Sequence, residues 1–67
     1  MDFETLYIMA LHYFEKVKTN CEFKKIIHYK EEKGNFVFYG LFKCKRGINL
    51  KRIIITSDGD FIDFMSY

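Results

Sequence analysis

The sequence predicts an α+β fold: a single N-terminal helix packed on one face of a four-stranded antiparallel β-meander, in the order αββββ. Three observations carry this. Apolar residues recur at helical spacing through the first 18 residues and lose that period afterwards. From residue 21 onward the chain turns to short runs rich in Phe, Ile, Val and Tyr, the residues that fit a pleated surface. Three turn signals, Glu31–Asn35, Cys44–Ile48 and Thr56–Asp60, each place a glycine after two polar residues, and there is no proline.

The helix is expected over 2–18. Asp2 is a suitable N-cap and Glu4 suits the positive end of the helix dipole. Phe3, Leu6, Tyr7, Ala10, Phe14 and Val17 fall on one face, flanked by Leu11 and Tyr13, and leave Ile8 on the polar side. Thr19-Asn20 ends the pattern. Strands are expected over 21–31, 35–44, 48–57 and 60–66, joined by type I turns that close on a left-handed glycine. The run Asn35–Cys44, apolar at alternate and intervening positions alike, reads as a central strand.

If the three turns share one form, they fix which residues share a face. The even-numbered set Phe36, Phe38, Gly40, Phe42, Cys44, Ile48, Leu50, Ile54, Ile62 and Phe64 then packs under the helix, with Arg52 as its one misfit. Gly40 allows a close approach of the helix near Ala10. The first strand carries its apolar residues Cys21, Phe23, Ile27 and Tyr29 at odd positions. Joining them to the even face requires a loop of two or four residues at Lys33-Gly34, or a bulge. The opposite face receives Val37, Tyr39, Leu41, Lys43, Lys51, Ile53, Ile55, Phe61, Asp63, Met65 and Tyr67, beside Ile26 and His28. One helix cannot cover both sides of four strands, and so apolar an outer face marks a contact surface.

Sixty-seven residues form one domain, 1–67, with a thin core. The acidic start, Asp2 and Glu4, lacks the form of a secretion signal, and no apolar run approaches the length of a membrane span. With two cysteines the chain reads as cytoplasmic, with Cys21 and Cys44 as buried thiols. All eleven Lys and Arg lie between Lys16 and Arg52 with three acids among them, whereas the flanks hold six acids and no Lys or Arg. The abundance of Phe, Tyr, Met, Ile, Asn and Lys follows AT-rich codons and suits a low-GC bacterium or its phage, so it is not read as a nucleic-acid signature.

Motifs for chemistry are lacking. His12, Cys21, His28 and Cys44 have no zinc spacing. Ser57-Asp58-Gly59-Asp60 with Asp63 lacks the register of a calcium loop. Lys33–Tyr39 has Asn35 where an RNA-recognition octapeptide has an aromatic residue. No nucleophile–base pair and no phosphate loop are present. The expectation is a non-catalytic protein-interaction module, without cofactor, membrane or small-molecule substrate. It would form a homo-oligomer or bind a partner protein through Val37, Tyr39, Leu41, Ile53, Ile55, Met65 and Tyr67, as an accessory or inhibitory protein. The alternative is nucleic-acid binding through Lys43, Lys45, Arg46, Lys51 and Arg52 around the second hairpin.

Overall fold

The computed structural model describes residues 1–67 as one helix, α1 (Phe3–Lys16), followed by four strands. These are β1 (Glu22–Glu32), β2 (Asn35–Cys44), β3 (Gly47–Thr56) and β4 (Phe61–Ser66). The strands form one antiparallel sheet in the order β1-β2-β3-β4, with α1 on one face. The α+β meander expected from the sequence is the fold.

Asp2 caps α1: its carboxylate accepts the Thr5 N–H at 2.9 Å. The hydrogen bonding by Thr5 favours the ionised form and holds the Asp2 pKa below its ordinary value. The helix ends at Lys16, two residues short of the expected end at 18. Val17 turns extended, at φ −64° and ψ 132°, while its N–H still reaches the Tyr13 carbonyl. That turn lets the Val17 side chain pack against the core. Leu6, Ala10 and Phe14, one face of α1 at i, i+4 and i+8, are fully buried against Phe38, Phe42, Ile53 and Ile55. Ile8 is exposed, as its position on the polar side implies.

The three turns do not share one form, and this changes the faces. Glu32 pairs with Asn35 across two residues that both take positive φ, Lys33 at 53° and Gly34 at 80°. Cys44 pairs with Gly47, leaving Lys45-Arg46 as a two-residue connection. Only the third turn has the expected geometry. Gly59 (φ 93°) follows Ser57-Asp58, its N–H donates to the Thr56 carbonyl at 3.0 Å, and the Thr56 N–H donates to Asp60 O at 2.8 Å. A two-residue connection at Lys45-Arg46 shifts β3 by one residue, and a one-residue shift exchanges its faces. Phe36, Phe38, Gly40 and Phe42 therefore stand beside Ile55, Ile53, Lys51 and Asn49 on the helix side. Ile48, Leu50, Arg52 and Ile54 turn outward.

Two further irregularities complete the arrangement. Register shifts between Phe23 and Lys25 and between Ile26 and His28 bring Phe23, Ile26 and Tyr29 alongside Phe42, Gly40 and Phe38. The bulge anticipated for the first strand thus exists, together with the two-residue loop, and Ile26 takes the inward place assigned to Ile27. A shift at Ile54/Ile55 pairs Ile55 with Phe61, so Phe61 stacks on Tyr13 at 4.4 Å and Ile62 is exposed. Phe61 and Ile62 are thereby reversed relative to the sequence expectation, while Phe64 packs on the core as expected.

Cys21 and Cys44 are not free thiols. They form a disulfide of sequence separation 23, with Cα atoms 4.3 Å apart, tying the α1–β1 connection to the end of β2. The bridge overturns the expectation of buried reduced thiols, which is one part of the cytoplasmic reading. Gly40 does allow a close approach, but by Phe14 and not Ala10: a Cβ on Gly40 would lie 3.0–3.1 Å from three atoms of the Phe14 ring.

These contacts set the cost of two substitutions. Closing a loop of this length contributes about 3 kcal/mol by the chain-entropy relation, so replacing Cys21 and Cys44 together with Ser lowers the unfolding free energy by roughly that amount in urea titration. Gly40→Ala forces the Phe14 ring off its place between Phe23 and Phe42. It costs about 1–2 kcal/mol by the same measurement, with the fold retained.

Candidate functional site

The face of the sheet opposite α1 has no element of the chain over it. Its side chains stand in cross-strand rows. Lys25, Leu41 and Leu50 form one, and His28, Tyr39, Arg52 and Met65 the next. Lys30, Val37, Ile54 and Asp63 form a third, and Glu22, Lys43 and Ile48 close the end. The middle two strands thus present an aliphatic centre of Val37, Leu41, Leu50 and Ile54. Val37 is buried at 3% exposure, and the other three are half-buried. Glu22, Lys25, His28, Lys30 and Glu32 of β1 rim one edge. Asp63, Met65 and Tyr67 rim the other.

Arg52 organises the middle of this face. Its Nη2 donates to Asp63 Oδ2 at 3.1 Å, and its guanidinium lies 5.9 Å from the Tyr67 ring. Tyr67 in turn stacks on Tyr39 at 6.5 Å, and Tyr39 meets His28 at 5.5 Å. Burial works against the Arg52 charge, but Tyr67, Asp63 and Tyr39 together outweigh it and raise the pKa. The Arg52 Nε is buried without a hydrogen-bond partner, so the guanidinium is held mainly by Asp63 and the two tyrosines.

Of the residues expected at the contact face, Val37, Tyr39, Leu41, Met65 and Tyr67 lie on it. Met65 and Tyr67 are well exposed, at 41% and 58%. Ile53 and Ile55 do not. They are in the core under α1 at 0% and 3% exposure, because the Lys45-Arg46 turn reverses β3. Leu50 and Ile54 take their places. The five cations of the alternative site are also divided. Lys43, Lys45 and Arg46 are exposed, Arg52 is engaged with Asp63, and Lys51 is buried on the helix side at 6% exposure. The signal that finds Leu50 and Ile54 is the turn length between Cys44 and Gly47, which the sequence alone reads in two ways.

No group of three or more His, Cys, Asp and Glu side chains is placed to hold a metal ion. No helix is long and apolar enough to cross a membrane. No protein-family model, curated protein or solved structure matches the chain.

Proposed function

We propose that the protein is a small interaction module that binds a second copy of itself, or a partner protein, through the outer face of its sheet. The observation that carries this reading is the composition of that face. Four aliphatic side chains surround a Tyr39–Arg52–Tyr67 cluster, and only the chain's own rim residues shade them. Tyr, Arg and Met are the residues that concentrate binding energy at protein interfaces, and charged rims flanking an apolar centre are the usual anatomy. The molecule measures 35 × 19 × 17 Å. At ordinary strand spacing the sheet presents roughly 600 Å², near the ~800 Å² per partner of a standard interface.

Met65→Lys combined with Leu41→Lys places charge on this face and leaves the core untouched. Sedimentation of the parent protein at increasing concentration is expected to give a dimer mass, or co-sedimentation with a partner, that the double variant loses while keeping its circular dichroism spectrum. A parent that stays monomeric and partnerless, or a double variant that assembles unchanged, rules the reading out. The alternative, nucleic-acid binding, rests on the exposed cluster Lys43, Lys45 and Arg46 at the second hairpin. It requires that Lys45→Glu with Arg46→Glu remove a salt-dependent shift of oligonucleotides in a gel. Absence of any shift for the parent at low salt disposes of it.

A further inference from the structure

On the helix side of the sheet, a recess of about 340 Å³ opens where the Cys21–Cys44 bridge meets the start of β3 and the end of β4. It is lined by the bridge together with Arg46, Asn49, Lys51 and Ser66, and none of its eight lining residues is acidic. The Lys51 side chain is the unusual member. It is a cation with 6% exposure, and a charge so placed is normally paired. The three ion pairs of the protein, Lys24–Glu22, Lys30–Glu32 and Arg52–Asp63, include neither Lys51 nor Arg46. Neutral groups hold the ammonium instead. Nζ donates to Asn49 Oδ1 at 3.0 Å and to Ser66 Oγ at 2.9 Å, and stands 5.2 Å from the centre of the Phe42 ring. The Ser66 hydroxyl donates to Asn49 Oδ1 at 3.0 Å, and the Asn49 amide donates to the Tyr67 carbonyl, so both acceptors are themselves fixed. Two of the three ammonium N–H groups are thereby used, and the third has no acceptor in the chain.

We propose that this recess binds a phosphate-type oxyanion, as the free ion or as the head of a phosphate monoester, between the Lys51 ammonium and the Arg46 guanidinium. Lys51 supplies a partly desolvated point charge whose position Asn49 and Ser66 fix in advance. Arg46, on the exposed Lys45-Arg46 turn, supplies a planar fork matched to two oxygens of one anion. The missing counter-charge for Lys51 is what the anion provides, and no acidic side chain lines the recess. The Lys51, Asn49 and Ser66 side chains lie on the opposite side of the sheet from the interaction face, so the proposal does not rest on that face.

The test is a titration of the disulfide-intact protein with sodium phosphate, followed by amide ¹H–¹⁵N spectra, against sodium chloride at matched ionic strength. Saturable shifts at Arg46, Asn49, Lys51 and Ser66 are expected with phosphate and not with chloride. Lys51→Met keeps an unbranched apolar stem, removes the ammonium and is expected to weaken phosphate about tenfold or more, as loss of a charge-assisted hydrogen bond does. Arg46→Gln, at a position whose side chain is exposed and makes no ion pair in the protein, is expected to weaken it as well. O-phosphoserine binding more tightly than inorganic phosphate identifies the monoester, and weaker binding identifies the free ion; either supports the site. Phosphate shifts no different from chloride, or parental affinity in Arg46→Gln and in folded Lys51→Met, overturn it.

Discussion

The fold depends on the seating of Phe14 over Gly40. The ring lies stacked on Phe23 at 5.4 Å, edge-on to Phe42 at 5.7 Å, and in the space that a Cβ at residue 40 would fill. Rings in these geometries contribute beyond the area they bury, and a fully buried aromatic of this size is a large share of a core of seven residues. The contact also fixes where α1 lies along the sheet. With Phe14 over Gly40, Ala10 and Leu6 fall one and two turns back toward Phe38, and Phe3 and Tyr7 reach the Phe38 ring. The Cys21–Cys44 bridge constrains the same junction from the other direction. Cys21 leads into the strand that carries Phe23, and Cys44 lies two residues beyond Phe42. Helix exit, first strand and second strand are thus held together within a few residues of one ring.

The elements were legible in the sequence because each has its own period and its own punctuation. The helical stripe of Leu6, Ala10 and Phe14 buries as read, and all four strands and three turns occur where the glycines place them. The faces were less legible. A glycine after two polar residues serves both a two-residue connection and a three-residue one closed by a left-handed glycine, and the two differ by one residue in register. In β3 the pattern cannot arbitrate. Ile53-Ile54-Ile55 is apolar at both parities, and Lys51-Arg52 puts a cation on each side whichever way the strand is turned. A strand that alternates declares its own faces. Neither β2 nor β3 does, so the turn between them decides. The nearness of Cys21 and Cys44 on paired strands was legible, but the bridge was not, because a chain read as cytoplasmic implies reduced thiols.

Lys51 and Arg52 illustrate how adjacent cations are accommodated in a sheet of this kind. Strand alternation sends them to opposite faces, and neither can be left as an isolated charge in apolar surroundings. Arg52 emerges among tyrosines on the open face, where Asp63 is in reach from the next strand. Lys51 emerges beside Gly40, at the margin of the aromatic core, where β4 offers Ser66 and not an acid. The long aliphatic stem of a lysine suits that margin, because it packs against Phe42 while its ammonium reaches the recess.

Both candidate surfaces trace to the length of one helix. The 14 residues of α1 span about 21 Å at 1.5 Å per residue, against a longest dimension of 35 Å for the molecule. A helix that short covers the middle of one sheet face and stops, and no second helix exists to cover the other. On the helix side, the strand ends beyond Phe14 are closed by a disulfide and a hydrogen-bonded lysine, and that leaves the recess at the bridge. On the far side the aliphatic centre is left half-buried, its shading limited to rim side chains that rise from the same sheet. Folding alone needs neither arrangement to carry so many aromatic and cationic groups. A solvated outer face is most simply built from Thr, Ser, Glu and Lys, and a strand end is most simply closed by a shorter strand. The chain instead places Leu41, Leu50 and Ile54 half-buried where no element of its own reaches them, and this is the surface that the proposed contact would cover.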